Sequence, residues 1–527
     1  MRISGPFIRP LGWGSAIIAV SVAGLAFRLA FPAPGLWWTA PLALTLWLVA
    51  LAGRGFWSGF GLSLIGGLAF WLSLVNWTAL YLGPLPWIAL GSLMALYMAI
   101  GGGFIAWLWR WTERILPPGS ARTALLTASL SSAWIGREWL AASWPYGGFS
   151  WGRIAMSQSE GWFAPALSWW GASGLGWAIA AISAFAAIVL TSERPPASRL
   201  RDLTLRWALA IAVLGSLPVW PVATSGSIRV LAVQGGADAS LFTALPRGTV
   251  FNAHIEQTLA SEASAPELVV WPENAADIDP LESAAAAAAL DQLAQRFEVP
   301  FLVGAVNERD GAFYNSSLLW TPEAGVTALY DKAHPVPFAE YMPDRAFWRP
   351  FAPDLIDLIN RDYQAGTRAN VLDLPDARGG VAICFDIAYD DLIADMMAGR
   401  AELILAQTNN ADFGRTDESI QQLAIARMRA IETGRTVVNI STVGSSAIIR
   451  PDGSTEVAVP TWEPGSLVAD VPLAQTPTLA TLITPWLSVA ASAFAPLVVA
   501  ALLWCRVRGY WSSSSSPRRE RSQSSRS

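Results

Sequence analysis

Long apolar stretches broken by short polar joints fill the first 225 residues, and the pattern changes at Ser227. A helix needs roughly 20 predominantly apolar residues to span a bilayer. That window predicts membrane helices near 11–31, 36–53, 55–76, 86–109, 122–143, 161–190 and 204–222, with an eighth over 480–505. The first resembles a secretory signal in length, but six further stretches follow it and no convincing cleavage site does. Beyond Ser227, short apolar runs interleave with helical periodicity. SIRVLAVQ, ELVVWPE, FLVGAV, YNSSLLW, VTALYDK, GGVAICF, ELILAQT, RTVVNIS, SAIIRPDG and SLVADV predict strands, and 249–262, 281–297, 388–399 and 417–434 predict helices. Continuous Val, Ile and Leu runs mark strands covered on both faces. The interleaving predicts a layered α/β domain of about 250 residues, large enough to bury its own core.

Composition narrows the class. Of 527 residues 53% are hydrophobic and 14% charged, against about a quarter charged in soluble domains. A disordered chain and a disulfide-stapled module are excluded, and a net charge of −5 offers nucleic acid no attraction. With only Cys384, Cys505, His254 and His334, a Cys-rich or His-rich metal site cannot be built. No metal or cofactor is expected.

Charge then gives an orientation. Residues 1–225 hold 13 Arg and 5 acids, 226–505 hold 15 Arg, one Lys and 34 acids, and 506–527 hold 6 Arg and Glu520. Arg2 and Arg9 precede the first stretch and Arg54 follows the second. Arg110, Arg114 and Arg122 follow the fourth, and Arg194, Arg199, Arg201 and Arg206 follow the sixth. The alternate joints 32–35 and 77–85 carry no charge, and 144–160 carries Arg153 and Glu160. Arg-rich loops stay in the cytoplasm, so 226–479 lies outside and both termini inside. Arg28 and the Arg137–Glu138 pair fall near span ends, where a charged head can snorkel to water. The tail SSSSSPRRERSQSSRS reads as a disordered basic segment beside anionic lipid. The expected organisation is a membrane domain over 1–225, an α/β domain over 226–475, an eighth membrane helix over 476–508 and a cytoplasmic tail over 509–527.

Three polar residues stand at strand ends, where open α/β sheets carry their sites. Glu273 follows ELVVWP, Lys332 follows VTALYD and Cys384 follows GGVAI, at spacings of 59 and 52 residues. Lys332 is the one lysine beside 34 arginines. An arginine neither deprotonates readily nor fits a point-charge role. A thiol that acts as nucleophile needs a base for its proton and a cation for the charge that develops. Cys505, within LLWCRV, reads as a small buried hydrophobe.

WPEN, DKAHPVPFAEYMP, CFD, TNNADFG and ARMRAIETGR, in this order, resemble the nitrilase superfamily with its Glu–Lys–Cys triad. Together with eight spans they resemble one branch, the bacterial apolipoprotein N-acyltransferases. The resemblance implies an αββα sandwich on a polytopic helical bundle of the bacterial plasma membrane, acting as a monomer. It implies transfer of a fatty acyl chain from a phospholipid to the α-amine of the diacylglyceryl-cysteine that begins a lipoprotein. By motif, Cys384 is then the nucleophile, Glu273 the general base and Lys332 the oxyanion-stabilising cation, with Glu340 as a further essential glutamate. Better-known members have Tyr and Glu after the cysteine, where this chain has Phe385 and Asp386, two supporting residues. They have an acid and a tryptophan where this chain has Asn410 and Asp412. CFD and TNNADFGRT resemble variants of the high-GC Gram-positive branch.

Two rival readings share these residues. The triad would equally serve a membrane-tethered nitrilase-type amidase, although eight spans exceed what an anchor requires. A transporter or scaffold with a decayed enzyme domain would instead call for intramembrane ion pairs. Residues 338–351 set Phe338, Tyr341, Met342, Phe347, Trp348 and Phe351 among Pro343 and Pro350, which interrupt any helix. So many aromatics in one loop are either buried core or a membrane-facing surface; we read the loop as a mobile lid that contacts lipid, with Tyr341 and Trp348 as its substrate-facing residues.

Overall fold

The computed structural model describes residues 10–507, apart from 194, 196, 199–200, 202, 239, 241–244 and 360. The expected tail over 509–527 lies outside the described residues, as do Arg2, Arg9, Arg194 and Arg199.

A helix forms at each N-terminal apolar stretch: α1 (Trp13–Leu29), α2 (Thr39–Leu51), α3 (Phe56–Leu74), α4 (Pro84–Ile115), α5 (Ser120–Ala141), α6 (Leu167–Thr191) and α7 (Ala208–Gly215). Close approach depends on small residues: a Cβ on Gly102 of α4 would fall 1.8 Å from Ser63 Oγ of α3. Four segments are long and apolar enough to cross a membrane: Phe56–Leu74, Pro84–Ile115, Ala164–Thr191 and Leu479–Ala501. Trp13–Leu29, Thr39–Leu51 and Thr204–Gly215 are apolar but shorter. The long α5 is more polar, with six Ser or Thr besides Arg122, Arg137 and Glu138.

The snorkelling expectation is corrected. Arg137 and Glu138 are buried within the bundle. There the Glu138 carboxylate accepts from Arg137 Nη2 at 3.3 Å, Trp134 Nε1 at 2.9 Å and Ile154 N at 3.1 Å. Burial of an ion is tolerated when its lone pairs are filled this way. Arg28 pairs at 2.5 Å with Asp417 of the α/β part.

Two six-stranded sheets build the α/β part. The first runs in the order β12-β1-β2-β3-β4-β5, with β1 Thr224–Gln234, β2 Leu268–Val270, β3 Phe301–Arg309, β4 Ala312–Thr321, β5 Gly325–Asp331 and β12 Gly465–Ala474. The second runs β11-β10-β9-β8-β7-β6, with β6 Val371–Asp373, β7 Arg378–Ile383, β8 Leu403–Thr408, β9 Val437–Ser441, β10 Ser446–Ile449 and β11 Thr455–Val459. β1–β2–β3 and β7–β8–β9 are parallel and the other pairs antiparallel. Strand alternation sorts the side chains. Val230 and Ala232 face the core between the sheets, while Leu231 and Val233 join Leu290 and Leu293 outside the first sheet. Gln407 of β8 crosses the gap to donate to Trp271 O. Each predicted run supplies a strand. The edge strands β6 and β11 are the additions, and neither has an apolar run to reveal it.

Helices α8 (Thr249–Ala260) and α9 (Ala284–Phe297) cover the first sheet, and α10 (Asp390–Ala398) and α11 (Glu418–Thr433) the second. The far side of α11 meets α6, so the membrane helices pack on this outer face. The chain leaves through α12 (Leu479–Val507). Gly171 marks the join inside α6. Its φ is +64°, Ala172 N donates to Glu432 Oε1 at 3.0 Å, and a Cβ at Gly171 would meet Thr484 and Glu432 at 2.1 and 2.7 Å.

Candidate active site

The three strand ends converge. Cys384 stands just past β7 with φ at +55°, a left-handed conformation that costs a non-glycine residue about 1–3 kcal/mol and persists only where its surroundings impose it. They do so here. The Asp386 carboxylate accepts from Ile383 N and His334 N, both at 3.3 Å, and from the Tyr330 hydroxyl at 2.9 Å. From the other side Arg429 donates to Ile387 O at 3.0 Å and Ala388 O at 2.8 Å. Asp386 is thus a brace under the turn.

Glu273, Lys332 and Cys384 are all buried. The Cys384 thiol lies close enough to the Glu273 carboxylate to feel its charge. Lys332 Nζ lies 3.4 Å from Glu273 Oε1 and 2.8 Å from Glu340 Oε2. Asn315 of β4 joins the two acids, donating to Glu273 Oε1 at 2.7 Å and Glu340 Oε1 at 3.0 Å. Val336 N closes the set on Glu340 Oε2 at 2.7 Å.

The electrostatics fit a resting nucleophile. Burial, with Glu273 beside it, pushes the Cys384 thiol well up. Burial also raises Glu273, and Glu340 adds to this against Lys332 and Asn315. Burial alone would lower Lys332, but Glu340 and Glu273 outweigh it and hold the amine well above its usual range. A neutral thiol thus faces a basic carboxylate and a fixed cation, the arrangement for activating a nucleophile on demand.

The remaining sequence-predicted residues fall around this centre. Phe385 lies in an aromatic wall, stacked on Phe413 at 6.1 Å and close to Trp151 at 5.1 Å and Trp77 at 6.3 Å. Trp77 and Trp151 belong to the N-terminal membrane part, and both indoles donate to Gln421 Oε1, at 3.4 and 2.8 Å. Tyr341 is half-buried and its carbonyl accepts from Phe338 N. Trp348 packs with Met342, Ile356 and Ile359 in a small cluster apart from the main cores, while Phe347 and Phe351 are exposed. A cleft of about 540 Å³ runs between Leu80, Leu355, Leu358, Ala411 and Trp462.

Sequence reasoning missed Asn315, Glu418, Gln422 and Arg429. For Asn315 the available signal was a polar side chain within a run otherwise destined for burial, YNSSLLW; the polar helix that carries Glu418, Gln422 and Arg429 gave none. Among the described residues no group of three or more His, Cys, Asp or Glu is placed to hold a metal ion.

Two family models divide the chain. "Apolipoprotein N-acyltransferase N-terminal domain" matches residues 23–185, and "Carbon-nitrogen hydrolase" matches 209–480, more than half of the chain. An apolipoprotein N-acyltransferase of Mycolicibacterium smegmatis is 30% identical over 477 residues, 83% of this chain and 77% of that one. Another, of Azotobacter vinelandii, is 30% identical over 524 residues, 94% of this chain and 96% of that one. Among solved structures, an amidase from Nesterenkonia sp. is 18% identical with a TM-score of 0.36, covering 48% of this chain and 92% of that one, a likeness too remote to bear on activity. A membrane-type helical bundle followed by a carbon-nitrogen hydrolase sandwich, matched nearly end to end by relatives of one name, makes this chain a member of the apolipoprotein N-acyltransferase family.

Proposed function

We propose that this N-acyltransferase carries a fatty acyl chain on Cys384 between two membrane-anchored substrates, a phospholipid and the diacylglyceryl-cysteine of a lipoprotein. The observation that carries this reading is the burial of Cys384 together with Glu273 and Lys332, whose amine lies 3.4 Å from the Glu273 carboxylate, under an aromatic wall to which the membrane part contributes Trp77 and Trp151. Glu273 takes the thiol proton, and the thiolate attacks the phospholipid ester carbonyl. Lys332 and the Phe385 N–H hold the oxyanion, where one lost donor costs roughly 10²–10³ in rate. The carbon–oxygen bond breaks, Glu273 returns its proton to the departing lysophospholipid, and a thioester remains. The lipoprotein amine then attacks, losing a proton to Glu273, and the sulfur leaves. Glu340 and Asn315 keep Lys332 and Glu273 in place, and the apolar wall keeps water from the thioester.

The finer placement follows the Arg-rich loops. Eight spans set both termini in the cytoplasm and the 226–475 domain outside, where both substrates are anchored. One chain contains the whole site, so a monomer suffices. The loop over 338–351 is the lid. Intact-protein mass after mixing with phospholipid tests the scheme. The expected gain is one fatty acyl group, removed by neutral hydroxylamine, absent in Cys384→Ala and retained in Cys505→Ala. An unmodified protein that still makes triacylated lipoprotein overturns it. Lys332→Arg keeps the charge but crowds the carbonyl, and an error of about 1 Å costs ~10²-fold in turnover.

A further inference from the structure

We propose that Gln422 is a further catalytic residue whose amide N–H donates to the Cys384 sulfur and favours its thiolate, and that Ser441, Asn410 and Glu418 are positioning residues that decide which end of that amide faces the sulfur. The inference rests on Cys384 being the nucleophile.

Asn410 Oδ1 takes two hydroxyl donors, Ser441 Oγ at 2.8 Å and Thr408 Oγ1 at 3.4 Å, and Gly444 N–H in turn donates to Ser441 Oγ at 3.0 Å. That fixes the Asn410 amide, whose Nδ2 then donates to Gln422 Oε1 at 2.7 Å. Gln422 has only its Nε2 left, and this lies 3.7 Å from Cys384 Sγ. A four-link relay from a backbone amide therefore delivers an N–H to the sulfur. The approach is tight: a Cβ on Gly444 would fall 2.0 Å from Asn410 Oδ1.

Glu418 holds the other side of the same amide. Its Oε2 accepts from Asn410 Nδ2 at 2.8 Å, while its Oε1 is buried with no partner. Burial lifts Glu418 to about 8, which favours its neutral form. The groups that act on the sulfur are Glu273, Lys332, Glu418 and Glu340, and those that act on Glu418 are Asn410, Glu273 and Asp412. An ionised Glu418 would add a further negative charge where the thiolate must form. The chemistry needs the donor most when the amine expels sulfur from the thioester, because Lys332 is then occupied with Glu273, Glu340 and the oxyanion. A hydrogen bond to an ionised acceptor is among the stronger kinds.

The same geometry accounts for asparagine at 410. An aspartate would bring a second acid to 2.8 Å from Glu418, with one proton to share between them in a buried place, and turn an acceptor towards Gln422 Oε1. The Gln422 amide would rotate and present its oxygen to the sulfur.

The test is alkylation of Cys384 by iodoacetamide across pH, followed by intact mass in a Cys505→Ala background, with melting temperature measured in parallel. Gln422→Met should move the alkylation midpoint up by about one unit, about a tenfold loss of thiolate at neutral pH. Asn410→Asp should shift it the same way and lower the melting temperature. In Asn410→Asp/Glu418→Gln the amide introduced at 418 donates to the carboxylate introduced at 410, so the melting temperature should recover while the midpoint stays high. A merely structural role would return both together, and that result, or an unchanged midpoint in Gln422→Met, overturns the proposal. Alkylation needs no acyl transfer, so a shifted midpoint without any phospholipid-derived thioester would refute the acyl-enzyme and leave the role of Gln422 standing.

Discussion

Helices α9 and α11 cover opposite faces of the sandwich, yet they follow different rules. In α9 the buried residues are Ala286, Leu290, Leu293 and Ala294, one stripe of an amphipathic helix, and the rest is half-buried or exposed. Its Arg296 forms a two-pronged pair with Glu262 in the open, at 2.9 and 2.7 Å. In α11 no residue is exposed, although Glu418, Gln421, Gln422, Arg429 and Glu432 lie among the buried ones. All five have assignable work: Glu418 holds the Asn410 amide. Gln421 ties Trp77 and Trp151, Gln422 meets Cys384, Arg429 braces the turn after Cys384, and Glu432 holds the kink in α6. Burying a polar group costs free energy unless it is bonded. A helix that buries so many is therefore a joint between catalytic turn and membrane bundle, while α9 is cladding.

Exchanging like for like on the two helices gives the largest contrast. Arg429→Met leaves Glu432 and Asp390 facing an empty place in the join and should cost about 3–5 kcal/mol, with turnover lost as the 384–388 turn relaxes. Arg296→Met, on an exposed pair, should leave the melting temperature and turnover unchanged. Thermal melts of both variants in detergent check this, and equal effects would erase the distinction. Leu290→Ala sharpens it from the other side. It should cost about 2–5 kcal/mol as a core truncation, yet leave turnover per folded molecule intact.

A smaller and pH-dependent effect separates the two helices again. Glu418 is held at about 8 by burial, above its unfolded range near 4.3. Between those values the folded state binds the extra proton. Stability should therefore be complete below about pH 4 and fall as pH rises towards 8, at up to about 1.4 kcal/mol per unit. Glu418→Gln should flatten that slope. Denaturant melts from pH 5 to 8 measure it, and a slope unchanged in the variant would show that another group sets it.

What the sequence made legible follows the same division. Strands buried on both faces, the stripe of α9 and the strand-end placement of Glu273, Lys332 and Cys384 could be read because burial there is apolar or the chemistry is local. Arg429 and Gln422 could not. A polar helix that looks fit for solvent is buried only because a second body lies on it, and pattern along one chain does not announce that body. Asn315 was hidden differently: β4 reads as a plain strand, and only its register beside β5 brings the amide to two carboxylates. Arg137 and Glu138 show the converse, since charge near the end of an apolar stretch suggested water where partners were waiting inside.

The least expected loss of stability falls on a part that belongs to neither face. The 338–351 loop carries Phe347 and Phe351 outward, 60% and 71% exposed, and keeps its own small cluster of Met342, Trp348, Ile356 and Ile359. It meets Tyr146 of the membrane part, whose ring packs edge-on against Phe338 at 5.9 Å and whose hydroxyl accepts from Trp348 Nε1 at 3.3 Å and donates to Asp344 at 2.7 Å. Exposed aromatics over a separate cluster suit a segment that moves on lipid. Trp348→Ala should therefore slow turnover on phospholipid while costing no more than about 1 kcal/mol, well short of the 3–5 of a core aromatic. Because Trp348 joins this loop to Tyr146, Tyr146→Phe should slow turnover by a lesser factor in the same direction. Turnover and melting temperature measured together decide it. A deeply lowered melting temperature with normal turnover of the folded fraction would return Trp348 to the core and leave the site without this lid.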